Sequence, residues 1–510
     1  TFSGTADFDP GPDTFNMTTA GAADIFITKL DASGRFIWAK QFKGSGEDYV
    51  SAIAVDEVGN VYTTGHFVDT VDFDPGDGQR ILISAGRADA FISKLDANGN
   101  HIWVGKFGGT NNVRSNALVL DGSGYLYIAG EFEGGADFDP GVTGYFAFSA
   151  GALDAFITKL DTAGKFVWVK KMGGLSNDQP YSIVLDKGGN IHLAGTFFGT
   201  TQLNPGFGTY NLTSFGGTDI FIVKLDNTGS FLWARQMGGQ MDDQVFSMAL
   251  DASGNIYTSG RFFHKADFDP GMNTLILTSA GSSDAFISKL DTSGNLIWVK
   301  QLGGVGEDAG YKIALDAEAA IYTTGIFNES VTFDSGKSTL NLQTAGATDA
   351  FVCKFDAAGE LQWAYSMGGE GHERGMDIAL DPSGNIYTTG SFNVTADFAP
   401  KSGNRNLTAA GEADVFVLKW NQMTLGLQAT SFSTHLSAFP NPTSGPLTLS
   451  GNEPFRNPTL IVRNIQGQEV FRKSYSAIDR IELNLEVPAG LYIAELLDRG
   501  QKATIKLIKQ

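Results

Sequence analysis

Six tryptophans recur at one constant interval of 65 residues, and each lies in a near-copy of the same segment. They are Trp38, Trp103, Trp168, Trp233, Trp298 and Trp363. Internal repetition at this period is typical of arrays and rings built from one supersecondary unit, so it constrains the architecture more than any other signal. The intervals contain no insertion or deletion, which leaves little room for the special loops that usually form an active site.

Each repeat contains four short runs rich in β-branched and aromatic residues. In the second copy these runs are Tyr49–Asp56, Val61–Phe67, Asp89–Leu95 and His101–Phe107. The connectors Asp56–Asn60 and Asp96–Asn100 begin with an Asp that opens a turn and contain a Gly that accepts positive φ. No stretch has sustained helical periodicity. The repeat therefore predicts an all-β fold, a β-propeller of four-stranded antiparallel blades.

The third strand of the repeat occurs seven times, marked by one recurring phenylalanine. The positions are Phe26, Phe91, Phe156, Phe221, Phe286, Phe351 and Phe416. Thr1 enters the repeat just ahead of Phe2, the counterpart of Phe67, and Trp420 ends the last copy before a fourth strand. We expect a ring of seven blades, with about 40 residues ahead of Thr1 supplying the missing strands. Six blades are disfavoured because the two ends duplicate the third strand.

An Asp opens the third strand in all seven copies, from Asp24 to Asp414, and a Lys follows five residues later, from Lys29 to Lys419. Groups needed in every unit usually hold the units together. We therefore favour a repeated contact between blades over a ring of ligand-facing lysines. The glycine that closes the second strand, Gly65 in the second copy, is expected to permit close contact between blades.

The net charge of −20 argues against nucleic acid and anionic membrane surfaces as partners, because both attract basic patches. No stretch of 18 apolar residues is present, so no transmembrane segment is expected. Cys353 is the single cysteine, which excludes disulfides within the chain.

The repeat stops after Trp420, and the composition changes again near Leu436. Several short alternating strands separated by Asn-Pro and Gly turns follow, which predicts a small Ig-like β-sandwich. We divide the chain into a propeller over residues 1–421, a polar linker over 422–435 and a C-terminal domain over 436–510.

The motifs of this tail resemble those of the C-terminal sorting domain of type IX secretion substrates from Bacteroidota-type bacteria. They are the PNPTSG box, the N-x-x-G-Q-x-V hairpin, the P-A-G-x-Y strand and a basic last strand. The matching residues are Pro440, Asn441, Pro442, Gly445, Asn464, Gly467, Pro488, Gly490, Tyr492 and Lys506. The resemblance implies recognition of residues 436–510 by the secretion machinery and a secreted or outer-surface location. Residues 1–421 similarly resemble the seven-bladed SBBP propeller repeats of secreted proteins.

Paired carboxylates recur after the second strand, in the sequence Asp-Phe-Asp-Pro-Gly or close to it. The pairs are Asp7 with Asp9, Asp72 with Asp74, Asp137 with Asp139, and Asp267 with Asp269. Residues two apart in a strand share a side, so each pair offers two oxygens to a hard cation such as Ca²⁺. Three other copies lack the pair, and Asp-Pro-Gly is itself a turn sequence. The turn interpretation is favoured, no cofactor is expected, and Ca²⁺ binding remains the alternative.

No catalytic motif stands out: the six histidines have no metal-ligand spacing, and neither G-x-S-x-G nor H-E-x-x-H occurs. The one local oddity is Gly371-His-Glu-Arg-Gly375, which we interpret as a drifted repeat loop. We expect a secreted or cell-surface protein that is not an enzyme and serves adhesion or binding of a glycan or protein ligand. The alternatives are a secreted hydrolase or lyase with a site in the propeller funnel, and a passive spacer or surface-layer protein.

Overall fold

The computed structural model describes residues 1–334, 339–399, 405–420, 437–464, 468–498 and 501–509. These residues form antiparallel sheets and contain no helix. The chain divides into two compact units, Thr1–Lys419 and Trp420–Gln510. The predicted all-β class is confirmed, and residues 422–435, predicted as a linker, lie outside the described residues.

The first unit repeats an antiparallel sheet in which four strands pair in chain order. First strands are Tyr49–Val55, Val113–Leu120, Asp178–Leu185, Gln244–Leu250, Ala309–Leu315 and Arg374–Leu380. Second strands are Val61–Phe67, Tyr125–Asp137, Ile191–Phe197, Ile256–Asp267, Ile321–Asp334 and Ile386–Phe392. Third strands are Ile25–Leu30, Asp89–Leu95, Phe146–Asp161, Asp219–Leu225, Ile276–Leu290, Thr339–Phe355 and Asp414–Trp420. Fourth strands are Phe36–Gly44, His101–Gly109, Phe166–Gly174, Phe231–Gly239, Leu296–Gly303 and Leu361–Gly369.

A short hairpin between the second and third strands links each blade to the blade before it. It is a separate pair of strands in four repeats and an extension of the long strands in the others. The separate pairs are Thr5–Asp7 with Asn16–Thr18, Thr70–Asp72 with Ile81–Ile83, Thr200–Gln202 with Asn211–Thr213, and Thr395–Asp397 with Asn406–Thr408. The hairpin pairs with the end of the preceding fourth strand, as Gly108 does with Asp137. Backbone hydrogen bonds therefore connect neighbouring blades.

The apolar core lies between blades. One cluster combines Tyr127 and Ile157 of one repeat with Ile183 and Phe221 of the next. The recurring third-strand phenylalanines are buried from Phe91 onward. A blade has two apolar faces that it cannot bury alone, so each sheet folds against its neighbours.

The last repeat contacts the first through the same interaction that joins interior blades. Lys29 Nζ donates to the carbonyl oxygen of Ala97 in the next repeat at 3.0 Å. Lys419 Nζ donates at 3.0 Å to Ala32, which holds the position equivalent to Ala97. This contact closes the described repeats into a ring and supports the count of seven blades, which stays a prediction.

The third strand Asp414–Trp420 has exposed apolar side chains that are buried elsewhere. Val415 and Val417 are each 56% exposed, whereas their counterparts Ala90 and Ile92 are fully buried. In the other repeats a fourth strand covers this edge. The proposed segment ahead of Thr1 stays a prediction.

The explanation expected for Gly65 is wrong in its detail. A Cβ on Gly65 would lie 1.9 Å from the carbonyl oxygen of Tyr49, in the first strand of the same blade. The first strand is bulged between Val50 and Ala52, which brings its backbone close to the second strand. Gly65 therefore permits a bulge within a blade.

The second unit is a two-sheet sandwich. Its three-stranded sheet contains Ser437–Phe439, Pro446–Phe455 and Ile478–Asn484, and its four-stranded sheet contains Glu469–Ser474, Thr459–Asn464, Gly490–Asp498 and Gln501–Lys509. Leu449 and Ile481 of one sheet and Leu460 and Val462 of the other share one core.

Candidate ligand-binding site

The first strands of neighbouring blades lie side by side at the inner edges of their sheets, so they line the centre of the ring. Each described first strand carries one bulge near its start. The bulged residues are Ser51, Asn116, Tyr181, Phe246, Tyr311 and Met376, which differ in nearly every repeat. We call the surface around these residues and the starts of the first strands the funnel mouth.

Three consecutive blades place aromatic rings at the funnel mouth. The ring centroids of Tyr181 and Phe246 are 6.2 Å apart, and those of Phe246 and Tyr311 are 5.2 Å apart, both edge to face. All three side chains are partly exposed. The guanidinium group of Arg261 lies 5.8 Å from the centroid of Phe246, a cation–π distance. Together these groups form a partly exposed aromatic surface with a cation at its edge.

Polar residues unique to single repeats surround this aromatic surface. The residue after the second-strand glycine is His66, Glu131, Thr196, Arg261, Ile326 or Ser391. Arg261 Nε donates to Gln244 Oε1 at 2.8 Å, and its Nη1 forms an ion pair with Glu307. Asn116 Nδ2 donates to Glu131 and, at 3.0 Å, to the carbonyl oxygen of Pro180 in the next blade. The funnel mouth is therefore asymmetric although its scaffold is repetitive.

The electrostatics of the funnel mouth follow from burial and from its arginines. Burial raises the pKa of Glu131, while Asn116 and Arg114 oppose that rise. Burial, aided by the charge of Arg114, lowers the pKa of His66 to about 4. Burial also raises the pKa of Tyr311, against the positive charges of Arg374 and Arg261. At neutral pH the site offers a neutral imidazole, phenols and guanidinium groups.

The four Asp pairs proposed as alternative Ca²⁺ ligands hold turns together. Asp72 Oδ1 accepts backbone N–H groups from Asp74 at 3.1 Å and Arg80 at 2.7 Å, and Asp74 Oδ1 accepts one from Gly76. The same pattern recurs at Asp7 with Asp9, Asp137 with Asp139, and Asp267 with Asp269. Among the residues described, no group of three or more His, Cys, Asp or Glu side chains is arranged to hold a metal ion. Ca²⁺ binding stays a prediction.

The recurring lysines form contacts between blades. Lys94 and Lys289 donate to carbonyl oxygens of Thr162 and Ala357 in the next blade, both at 3.2 Å. Trp38 and Trp103 also donate to the next blade, to Ala97 and Thr162. This geometry agrees with the structural interpretation of the lysines. Their recurring Asp partners lie elsewhere, near the loops between blades.

The segment Gly371–Gly375 conforms to the repeat more closely than its sequence suggests. Glu373 occupies the slot of Asp48, Asp178, Asp243 and Asp308, and its Oε2 accepts the N–H of Gly369 at 2.8 Å. Arg374 begins a first strand at the funnel mouth. Within this segment, Arg374 at the funnel mouth is therefore the candidate for contact with a ligand.

Sequence reasoning missed the funnel mouth. Its residues lie at positions that differ between the 65-residue copies, whereas the motifs considered above lie at positions that recur in most copies. An alignment of the repeats with one another would have shown 51, 116, 181, 246, 311 and 376 as a variable column.

In the second unit, sorting-motif residues form hydrogen bonds that join the start of the domain to its last strand and that hold two of its turns. Asn441 Nδ2 donates to the carbonyl oxygen of Lys506 at 2.7 Å, and its Oδ1 accepts the N–H of Ile508. Asn464 Oδ1 accepts the N–H of Gln468 in the predicted hairpin. Tyr492 Oη donates to the carbonyl oxygen of Pro488.

Other motif residues lie at turns or edges. Pro440, Pro442 and Gly490 are exposed, and a Cβ on Gly445 would lie 2.6 Å from Asn484 Oδ1. Gly467 lies outside the described residues.

Residues 437–510 match the family described as a secretion system C-terminal sorting domain, and residues 37–66 match the beta-propeller repeat named SBBP. The chain carries an SBBP β-propeller repeat and a type IX sorting domain. The sorting domain marks it as a protein secreted to the cell surface or beyond, and implies interaction with the secretion machinery. No helix long and apolar enough to cross a membrane occurs in the part of the chain that the structure describes.

Two curated relatives align with most of this chain. An uncharacterized WD repeat-containing protein of Acanthamoeba polyphaga mimivirus is 24% identical over 442 residues, covering 74% of this chain and 32% of the relative. The regulatory protein FlaEY of Caulobacter vibrioides is 22% identical over 425 residues, covering 78% of this chain and 42% of the relative. The chain thus spans less than half the length of either relative.

Among solved structures, the BSP domain of a biofilm associated protein aligns with 98% of this chain and 99% of its own. Its identity is 9% and its TM-score 0.12, which is too low for any argument from shared fold.

Proposed function

We propose that this exported protein is a non-catalytic binding module that holds a saccharide ligand at the funnel mouth. The observation that carries the proposal is the array of Tyr181, Phe246 and Tyr311 on consecutive blades, beside polar residues that no other repeat shares. Sugar rings present apolar faces to aromatic side chains and hydroxyl groups to amides and guanidinium groups. The funnel mouth supplies both kinds of contact within one surface.

Location supports the same proposal. The type IX sorting domain sends the chain to the cell surface or outside, where polysaccharides are abundant. Ligand sites are concave, contain aromatic side chains and have a small number of placed polar groups. Gln179, Gln244 and Asn116 supply amides, and Arg374 supplies an exposed guanidinium group.

The experiment is a glycan array with the full chain and three variants, one of which is a control. Tyr311→Ala and Arg374→Ala are expected to weaken binding about fivefold or more, because stacking and charged hydrogen bonds each contribute about 1 kcal/mol or more. Phe207→Ala removes an aromatic ring that is fully exposed in a hairpin outside the funnel mouth, and should bind like the parent. Absence of glycan binding by the folded parent would overturn the proposal, as would equal loss in all three variants.

A hydrolase or lyase is the second candidate, because the funnel mouth carries charged residues unique to single blades, such as Glu131 and Arg261. Its discriminator is product release. Incubation of the protein with a bound polysaccharide, followed by assays for new reducing ends and for unsaturated products, should detect none under the binding proposal. Release that Glu131→Gln abolishes would favour the enzyme.

A further inference from the structure

In several repeats, two carboxyl groups from different segments lie close together beneath the loops next to the funnel mouth. One belongs to the Asp that precedes or opens a third strand, and the other to an acid in the loop between blades. Within the described residues the pairs are Asp24 with Asp48, Asp154 with Asp178, Asp219 with Asp243, Asp284 with Asp308, and Asp349 with Glu373. None of these side chains belongs to a residue more than 2% exposed.

A recurring glycine pair at the end of the fourth strand makes this arrangement possible. A Cβ on Gly303 would lie 2.1 Å from Asp284 Oδ2, so a side chain in this backbone conformation would collide with that carboxyl group. The next residue, Gly304, donates its N–H to Asp308 Oδ2 at 2.8 Å. Both carboxyl groups thus approach one dipeptide, and the same glycine pair recurs as Gly173-Gly174, Gly238-Gly239 and Gly368-Gly369. The pair Asp24 with Asp48 has Lys43-Gly44 at this place instead.

The hydrogen bonds around the pairs come mainly from N–H donors, with the hydroxyl group of Thr201 beside Asp178, and several oxygens are left without a partner. Asp219 Oδ2 accepts from the backbone of Phe215 and the amide of Gln236, and Asp243 Oδ1 accepts from the backbone of Phe263. Asp219 Oδ1 and Asp243 Oδ2 are buried and have no partner. Each of the five loop acids has one such oxygen. Unpaired buried oxygens of this kind are costly, so something must satisfy them.

Electrostatics point to neutralisation of one charge in each pair. Burial, with the charge of the partner acid adding to it, raises the pKa of Asp243 and of Asp308 to about 8. Burial likewise raises the pKa of Asp48, Asp178 and Glu373 to about 7. The other acids that face these groups are Asp69 near Asp48, Asp242 near Asp243, and Glu307 near Asp308. Among the described residues, the one ammonium group within ion-pair distance of a pair is that of Lys171, 3.8 Å from Asp154.

We propose that each buried pair binds a single proton at neutral pH, held between its two carboxyl groups. A proton suits the site better than a metal cation, because a hard cation needs six or more oxygen ligands and the groups around the pair are mainly N–H donors. One O–H···O⁻ hydrogen bond would satisfy the free oxygens of Asp219 and Asp243 together.

One repeat lacks the second acid and shows the compensation expected. Val113 stands where the other repeats have an acid, and the remaining carboxylate, Asp89, forms an ion pair with Lys106 at 3.0 Å. At the pairs with two acids, the position of Lys106 holds Gln41, Lys171, Gln236, Gln301 and Ser366. A close ammonium group accompanies a single carboxylate, whereas two carboxyl groups share a proton.

The proposal sets the sign of the pH dependence. A carboxyl group whose pKa is raised by folding binds more protons in the folded state than in the unfolded state, where the pKa is 3.8 for Asp. Its contribution to stability is complete below that unfolded value and is lost as the pH rises through 7 to 8. The backbone N–H groups of Val68 and Phe263, at the start of hairpins next to the funnel mouth, donate to these acids. We therefore expect these hairpins to lose protection first as the pH rises.

The test is the melting temperature and amide hydrogen exchange of the full chain between pH 6.5 and 9. Between pH 6.5 and about 7.5 the buried His66 and His192 oppose this loss of stability, because burial lowers the pKa of each to about 4 in the folded state, whereas the unfolded imidazole, with a pKa of 6.5, is still partly protonated. The part of the profile above about pH 7.5 therefore reports on the acids. We expect the melting temperature to fall by more than about 3 °C across this range. The protection factors of the amides at 68–70 and 263–265, which correct for the intrinsic pH dependence of exchange, should fall over the same range.

The decisive variant is the double change Asp243→Asn and Asp308→Asn, in which the amide N–H replaces the shared proton. It should raise the melting temperature across the whole range, by more at pH 9 than at pH 6.5, and so reduce the pH slope. Glu57→Gln, at an exposed turn, is the matched change of charge and should preserve the slope. A flat profile in the parent would overturn the proposal. So would a rise in melting temperature at pH 9 on adding Ca²⁺ that the double variant lacks, because a cation would then occupy the pairs.

Discussion

Lys419 donates a hydrogen bond from Nζ to the carbonyl oxygen of Ala32 at 3.0 Å, across 387 positions of the chain. Lys29 makes the equivalent bond to Ala97 inside the ring, also at 3.0 Å. The seam between the last and first repeats therefore has the geometry of an interior interface. The seam differs from an interior interface in one respect: the third strand Asp414–Trp420 has no fourth strand beside it in the described residues.

We expect Lys419→Met to open this seam locally. Loss of the hydrogen bond should accelerate amide hydrogen exchange in Ile25–Leu30 and Asp414–Trp420, while the interior blades keep their protection. Lys165→Met, at an exposed turn, serves as the control for loss of a lysine. Uniform acceleration in every blade would contradict a local seam and indicate that the ring opens as one unit.

Repetition made the scaffold predictable from the sequence. The 65-residue period predicted the observed bounds of the strand Val61–Phe67. It also identified the recurring third-strand phenylalanine, which is buried from Phe91 onward. Both were predictable because groups needed in every blade recur in every copy. The C-terminal sandwich was predictable from its turn motifs, and its family was confirmed.

The functional surface and the acid pairs were not predictable in the same way. The funnel mouth consists of positions that differ between copies, such as Asn116 and Tyr181. The third-strand Asp was expected to take part, with the Lys five residues later, in a repeated contact between blades. Its real partner is an acid that follows it by 24 residues, as Asp243 follows Asp219, and only the fold brings the two together.

His192 is an exception in the ring, and replacing it should stabilise the protein. In five other repeats a tyrosine at this position donates to the turn Asp, as Tyr257 does to Asp251 at 3.2 Å. His192 is fully buried; its Nε2 lies 3.5 Å from Asp186 Oδ2, without the geometry of a good hydrogen bond, and its Nδ1 has no partner. His192→Tyr should raise the free energy of unfolding by about 1 kcal/mol at pH 7, through a new bond to Asp186.

The pH dependence separates this hydrogen bond from simple packing. Burial lowers the pKa of His192 from 6.5 to about 4, so the parent loses stability as the pH falls through that window. His192→Tyr should remove that loss, measured as the melting temperature from pH 7 to pH 4.5. His192→Phe shares the packing without the hydroxyl group, and equal stabilisation by both variants would refute the hydrogen-bond explanation.

The turn carboxylates allow a direct test of the Ca²⁺ alternative. Asp267 Oδ1 accepts N–H groups from Asp269 at 3.0 Å and Leu275 at 2.8 Å. In another repeat Gln202 Oε1 accepts the equivalent two bonds, so an amide oxygen is sufficient for the turn. Asp267→Asn should therefore preserve the melting temperature, whereas Asp267→Ala should lower the free energy of unfolding by about 1 kcal/mol.

Calcium should leave both results unchanged. Chelation followed by titration with Ca²⁺ is expected to leave the melting temperature of the parent constant. A Ca²⁺-dependent rise that Asp267→Asn abolishes would establish the metal site and reject the turn explanation.

Asn441 joins the start of the sorting domain to its last strand and offers a way to test what the export machinery recognises. Its side chain bonds the backbone of Lys506 at 2.7 Å and of Ile508 at 2.8 Å, so the PNPTSG box and the basic strand are held in register. Asn441→Ala loses both bonds, and hydrogen exchange should accelerate at 505–509. If recognition requires this clasp, export in a host with a type IX system should fall several-fold.

Asn457→Ala, at an exposed position of the same domain, should change neither measurement. Asn441→Asp keeps the acceptor for Ile508 but places a negative charge beside the carbonyl oxygen of Lys506, so it should resemble Asn441→Ala in exchange and in export. Normal export of Asn441→Ala despite faster exchange would show that export requires neither the Asn441 side chain nor the hydrogen bonds by which it joins the two ends of the domain.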